Sequence, residues 1–569
     1  MDRNFLLAVV LSMLVVTFWS STREAPEKSP LVQPPAAEES AAGAPSSYTS
    51  TSTAEDSDDP RWRDDAERSP EPVAPVSDSE YAQATEAEVT EKRIDGARFA
   101  ATLSSRGGAL TGYALKDFST AEAEGLPEPI DLIARAEKRI QVGGTPFKEL
   151  GIGDLRDAVF AIEEQDSRSV TFVLMRNGIT VRKAYRFDLD GYTFDLSVAV
   201  ENKSGSVLLP RFEVEWPVAI REGNDYTNLS LVTRHDGDVA RTALASVGGS
   251  GFLGIGADDG APLTGGIEWF GVDTTYFVGV LAPERGGDAV AANVPFRTGE
   301  VVANVLSFRD ITLPSGNRIT QSMRGYIGPK LEPQLADFGA ELTMVIDRGW
   351  SWVQPLTRLF DFLLRTIYSV IPNYGWVIIV LTLLVRVATL PIVQRQMKSM
   401  EKMRLVQPRM KEIQEKYADD REKQSQAMMS LYKEEGVNPL GGCLPMLLQL
   451  PVFIGLFYAL QSSIELRHAP FILWMTDLSA PDQLFLIPGV EMPFRVLPIL
   501  MAGSMVLQAK FQPMSADPAQ AQMMTTVMPI MMLVLFYQFP SGLVLYYMLS
   551  NFLGIAHQRW VGRNMTSPS

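Results

Sequence analysis

Arg386 is the residue whose position demands chemistry. It lies inside Gly375–Gln394, a run long and apolar enough to cross a bilayer. A guanidinium at that depth costs at least about 3 kcal/mol by insertion scales, and it stays charged. No Asp or Glu lies inside the other apolar runs to pair with it. The charge therefore either reaches toward the cytoplasmic surface, with Arg395 about nine residues or 13 Å away, or faces a wet cavity that admits an anionic group. Thr382, four residues earlier, shares its helix face. Gln449 lies between Pro445 and Pro451 in another apolar run, and Tyr546, Tyr547, Ser550 and Asn551 lie in the last one. If these faces converge, they line a polar pocket within the membrane.

The elements that must position them follow from hydropathy. Five apolar stretches, at about 373–393, 442–463, 495–513, 523–539 and 541–561, read as membrane spans. Phe539-Pro540-Ser541-Gly542 is a compact turn that makes the last two a hairpin. An earlier apolar run, Phe5–Trp19, is either a signal peptide or a retained anchor. The lack of a clean small-residue cleavage site favours an anchor over residues 1–21. The fold class expected is an α-helical polytopic membrane protein of six transmembrane helices, five forming a grooved core, carrying a large all-β sandwich.

Between anchor and core the chain reads as soluble protein. Residues 22–92, rich in Pro, Ala, Ser and acids, cannot bury enough apolar surface to offset chain entropy and read as a tether. From 93 to 347, alternating strands such as Val170–Met175, Ile179–Phe187 and Tyr192–Val200 are punctuated by Asn177-Gly178, Asp190-Gly191 and Gly205, which predicts antiparallel hairpins in a sandwich. One short helix is expected near Leu331. Residues 348–372 form an amphipathic segment with Trp352, Leu356, Leu359, Phe360, Leu363 and Ile367 at helical spacing. It is placed flat in the membrane interface, with packing on the sandwich as the alternative.

The segment from Gln394 to Gly441 carries ten Lys or Arg and eight acids. It predicts two helices, a hairpin over about 396–437 broken near Tyr417–Asp420. Its charged surface is either simply solvated or touches RNA, lipid headgroups or an incoming chain. Putting these cations in the cytoplasm places both termini inside, including the tail 562–569, and the sandwich outside, in the periplasm of an inner membrane. The methionines Met523, Met524, Met528, Met531 and Met532 suit either ordinary helix packing or variable apolar partners.

Composition excludes much. The chain has 569 residues and net charge −16, arising mostly before residue 350, which argues against DNA as partner. One cysteine, Cys443, and three scattered histidines offer neither a disulfide nor metal-ligand spacing. No phosphate loop or nucleophile elbow occurs. His235, beside Asp236 and Gly237, reads as a loop histidine. The residues call for no cofactor, and an enzyme is not expected.

Several motifs, in order, carry a resemblance: Asn438-Pro-Leu-Gly-Gly-Cys443-Leu-Pro, Gln449-Leu-Pro-Val-Phe, Glu465–Phe471, Trp474–Ser479 and Phe539–Tyr547. Over about 350–561 the chain resembles the YidC/Oxa/Alb family of membrane protein insertases, and its large exterior domain resembles the Gram-negative branch. The resemblance implies a hydrophilic groove open to cytoplasm and lipid and closed to the exterior. It also implies a functional arginine at Arg386 and groove positions at Thr382, Tyr547, Gln449 and Leu450, with Tyr546 beside them from the polar pattern of the last span. It further implies insertion of hydrophobic segments of nascent membrane proteins, alone or with the secretion translocon. The implied partners are ribosome–nascent chain complexes, Sec components and membrane lipids. The exterior domain is expected to share the sandwich fold of sugar mutarotases without their catalytic histidine pair. A solute transporter and a tethered carbohydrate enzyme are the rival readings.

Overall fold

The computed structural model describes residues 88–120, 128–133, 141–219, 229–244, 263–284, 289–292, 296–298, 301–417, 420–436, 444–487, 492–511 and 522–565. The expected anchor, most of the tether and the Asn438–Cys443 motif lie outside them.

The alternating sequence builds a sandwich as expected. A nine-stranded antiparallel sheet runs from the edge strand Asp238–Ala243 through Ser230–His235, Ile267–Asp273, Phe277–Pro283, Arg318–Pro329, Thr193–Asn202, Ile179–Phe187 and Ser169–Arg176 to Ala161–Gln165. Smaller antiparallel sheets, of four strands over 91–131 and five strands over 213–308, pack with it around one apolar core. The period-2 pattern explains this: in Thr193–Asn202, Phe194, Leu196, Val198 and Val200 all face inward. Buried Asn304 ties the layers, its amide donating to the Val232 and Gly271 carbonyls at 3.2 and 3.0 Å.

The turn chemistry held in two forms. Asn177 (φ 53°) and Gly178 (φ 72°) make the left-handed two-residue turn that joins Ser169–Arg176 to Ile179–Phe187. Asp236 (φ 48°) and Gly237 (φ 86°) do the same after His235, which sits at the end of its strand. Asp190-Gly191 differs from the expectation. Its hairpin forms, but Gly191 does not take positive φ, and Asp188 organises the loop by accepting from the Asp190 N–H at 3.2 Å.

Beyond the sandwich lie α1 (Glu332–Phe338), α2 (Gln354–Tyr368), α3 (Tyr374–Lys416), α4 (Arg421–Glu434), α5 (Leu444–Ser462), α6 (Val496–Phe511), α7 (Met528–Phe536) and α8 (Ser541–Met565). Each expected span has its helix, with two departures. The apolar span ends at Gln394, close to the expected boundary, but its helix does not. α3 continues unbroken to Lys416 through Pro391 and Pro408, and the expected break follows at Tyr417. α4 then packs back on it through Val406, Met410 and Leu431. The fourth expected span begins with a π-turn at Met523–Val527. Among the described residues Tyr374–Gln394 is long and apolar enough to cross a membrane, with mean hydropathy 2.4.

The amphipathic helix α2 forms, but the face it buries differs in part from the expected stripe. It buries Thr357, Phe360 and Leu364 and leaves Leu359 and Phe362 exposed. Its inner face lies on α5, where a Cβ at Gly455 would stand 3.1 Å from Leu356 and 3.3 Å from Phe360. Packing on α5 therefore selects the buried face. Trp350 and Trp352 stack beside it, both exposed.

A single turn after α5 joins the two bodies. Ile464 is buried in the sandwich core, and Leu466, two residues on, is buried in the helical core. Arg467 then donates to the Ser119 carbonyl and lies over the Phe277 ring at 5.7 Å.

Candidate functional site

The site is assembled from α3, α5, α6 and α8. α3 starts cleanly because Asn373 caps it, accepting from the Trp376 N–H at 3.2 Å. Two turns on, Thr382 is fully buried and its hydroxyl donates to the Ile378 carbonyl of its own helix at 2.6 Å. One turn further is Arg386, partly buried.

The start of α8 is fixed by the Pro-Ser-Gly turn. The Ser541 hydroxyl donates to the Asp477 carbonyl at 2.7 Å, and the Gly542 N–H donates to the Leu478 carbonyl at 2.9 Å. Helical spacing then places Tyr546 and Ser550 on one face. Tyr546 is buried, and its hydroxyl accepts from the Gln449 amide of α5 at 3.2 Å. Tyr547 packs edge-on to Phe453 (5.9 Å) and against Phe536 (5.2 Å). Arg386 Nη2 donates to both the carbonyl and the hydroxyl of Ser550, each at 2.5 Å. Its Nε is buried and has no acceptor among the described residues.

Arg386, Gln449, Tyr546 and Tyr547 are thus brought together as the sequence suggested, with both tyrosines in electrostatic reach of the guanidinium. Thr382 lies on the same stripe, but its hydroxyl is already used within the helix. Leu450 is half exposed on the flank of α5. Sequence reading missed Ser504 of α6. It is buried, and its hydroxyl accepts from the Asn551 amide at 3.0 Å. Its signal was present, since Leu497, Met501 and Ser504 repeat at helical spacing and all three are buried.

A second charged group lies where sandwich and helices meet. Arg348 donates to Glu332 at 2.9 Å and faces Asp361 of α2 at 3.9 Å. Arg365 spans Glu332 (3.6 Å) and Glu465 (3.5 Å). Arg348, Asp361, Arg365 and Glu465, with Lys330 and Tyr374, line a cavity of about 20 Å³. Desolvation pushes the Asp361 carboxyl up to about 6, against the pull of Arg348 and Arg365. The sign follows from linkage. The folded chain binds this proton more tightly than the unfolded chain, so the group's stabilisation is full below its unfolded value of 3.8 and is lost as pH rises through about 6. Asp361→Asn keeps the neutral form at every pH. Its thermal unfolding should match wild type near pH 4 and exceed it at pH 7.5, by up to about 3 kcal/mol. A difference independent of pH would refute the assignment.

Two family matches divide the chain. Residues 92–360 match the family described as YidC periplasmic domain, and residues 366–568 match the 60Kd inner membrane protein family. The membrane protein insertase YidC of Oleidesulfovibrio alaskensis is 30% identical over 582 residues, 99% of each chain. The chain belongs to the YidC family of membrane protein insertases. The family member of Aliivibrio salmonicida is 36% identical over 414 residues, covering 70% of this chain and 71% of its own. A crystal structure of an active YidC insertase with its first transmembrane domain resolved is 18% identical. It covers 83% of this chain and 92% of its own, with TM-score 0.34. Within the family frame, the sandwich occupies the region matched as periplasmic domain, and the site around Arg386 falls wholly in the region matched as inner membrane protein.

Proposed function

We propose that this chain inserts hydrophobic segments of nascent membrane proteins from the cytoplasm into the inner membrane, alone or beside the secretion translocon. The observation that carries this is Arg386, held on the wall of α8 within an apolar span, with an unpartnered Nε and with Gln449, Tyr546 and Tyr547 around it. Family membership and the inner-membrane match to residues 366–568 support it.

In this reading residues 1–21 anchor the chain, 22–92 tether it, and the sandwich over 93–347 lies in the periplasm. Residues 348–372 lie at the interface, the five-helix core over 373–561 spans the membrane with its hairpin at 396–437 inside, and both termini are cytoplasmic. Six crossings and the cation excess of the hairpin agree with that orientation. The partners are ribosome-bound nascent chains, Sec components and lipids.

The mechanism needs no bond-making step. A client presents an apolar stretch with a short, often acidic, polar flank. The flank enters a hydrated groove formed by Thr382, Arg386, Gln449, Leu450, Tyr546 and Tyr547, where the guanidinium offsets part of the desolvation of a carboxylate. The groove shortens the hydrocarbon path that the flank must cross. The apolar stretch then passes into lipid, gaining roughly 25 cal/mol per Å² of apolar surface removed from water. The lipid-facing side chains of α3, including Leu383, Leu384 and Val387, are exposed as this exit requires.

Photocrosslinkers at Tyr547 and Leu450 should capture a stalled ribosome–nascent chain carrying a membrane segment, and one at exposed Glu164 of the sandwich should not. Capture from Glu164 alone would refute the groove.

A further inference from the structure

Arg386 is on a long, rotamer-rich side chain with an easy route to the cytoplasmic surface. What keeps it at depth is therefore as important as the charge itself. Among the described residues Ser550 alone accepts from its Nη2, offering two acceptors to that one nitrogen. The neighbouring residue faces the other way. Asn551 is buried and bonds Ser504 of α6, so the rotation of α8 about its axis is set by a different helix from the one it serves. At Gly554 a Cβ would lie 3.8 Å from Arg386 Nη2 and 3.5 Å from Gln508 Nε2, so the guanidinium packs against bare backbone one turn beyond Ser550.

We propose that Ser550 is a positioning residue for insertion: it fixes the Arg386 guanidinium against α8 and so holds its charge at the depth of the groove for a client carboxylate. The inference rests on the groove reading above. Both Nη2 hydrogens are spent on Ser550, and Nε has no acceptor among the described residues. Nε–H and Nη2 share one edge of the guanidinium, so that edge is enclosed against α8 and the plane of the group is fixed. Removing the hydroxyl leaves the carbonyl as a single acceptor that does not fix the plane of the group, and the side chain gains freedom to swing toward the surface.

The test uses the full-length protein in proteoliposomes and two clients with the same membrane segment, one with an acidic flank and one with that flank made neutral by Asp→Asn changes. Ser550→Ala should slow insertion of the acidic client about fivefold, the factor equivalent to one ordinary hydrogen bond, and leave the neutral client unchanged. Ser550→Thr, which retains the hydroxyl, should restore the rate. In an Arg386→Ala background Ser550→Ala should add nothing, because the two residues act as one unit. Equal slowing of both clients, or additivity with Arg386→Ala, makes Ser550 a packing residue and overturns the proposal. An acidic client slowed by Arg386→Ala but not by Ser550→Ala overturns it while leaving the groove reading intact. Indifference of the acidic client to Arg386→Ala overturns both.

Discussion

Arg386→Ala should lower the insertion rate of acidic-flanked clients at least tenfold, while Arg386→Lys retains most of it. Two unit charges 4 Å apart interact by about 4 kcal/mol at an effective dielectric of 20 and by about 1 kcal/mol in water. A hydrated groove lies between these limits, and each 1.4 kcal/mol is a tenfold change in rate. Lysine keeps the charge but carries a compact ammonium that cannot reproduce the planar fork. A residual loss of less than about twofold is therefore expected from it. The alanine variant should still fold. Ser550 then has only its hydroxyl to satisfy, and a serine hydroxyl in a helix can turn back to the carbonyl four residues earlier. Insertion of neutral-flanked clients should change little, because their transfer depends on apolar burial. Equal rates for wild type and Arg386→Ala with acidic clients would remove the charge from the mechanism. The snorkelling alternative would then stand, with the guanidinium serving only to anchor α3.

Local sequence carried much of this arrangement, for reasons that differ by residue. Arg386 was legible because a charge in an apolar run has few permissible environments. Tyr546 and Gln449 were legible as polar positions, but not as a hydrogen-bonded pair, since they are 97 residues apart and sequence periodicity reports only which face a residue occupies. Asn177-Gly178 was legible because its backbone geometry is chemically restricted. Asp190-Gly191 misled on mechanism: a side-chain bond from Asp188 does the work assigned to positive φ. The face that α2 buries was not legible. Two overlapping apolar stripes satisfy helical spacing, and only the position of α5 decides between Leu364 and Leu359. The shared turn at Ile464–Leu466 was hidden for the same reason. Two alternate residues enter different cores, and no local pattern encodes which core is nearby. The unbroken passage of α3 through Pro391 and Pro408 ran against the rule that proline ends or kinks a helix, so its continuation from the span into the hairpin was not legible.

Gly271→Val should be the most damaging single substitution in the sandwich. Gly271 sits in Ile267–Asp273, near the middle of the half of the large sheet that Asn304 clasps, and pairs with Val280 on one side and Val232 on the other. A Cβ there would fall 2.0 Å from the Gly279 carbonyl oxygen and 2.7 Å from the Val280 Cα. Both are backbone atoms, so no side-chain rotation relieves the clash. The strands must part, breaking their ladder and withdrawing the Gly271 carbonyl from Asn304. Overpacking against movable side chains costs about 1–3 kcal/mol. A clash with backbone at this depth should exceed that range, and it approaches the whole stability of a typical domain. Pulse proteolysis of the full-length protein should show the sandwich cleaved under conditions where wild type is intact. The core helices should survive, because their apolar cluster around Val377, Leu381, Leu456 and Tyr546 is separate from that of the sandwich. Insertion should accordingly persist while the sandwich is lost, whereas a membrane-tethered carbohydrate enzyme would lose its activity with it. Simultaneous loss of the sandwich, the helical core and insertion would show instead that the turn at Ile464–Leu466 couples the two bodies into one cooperative unit.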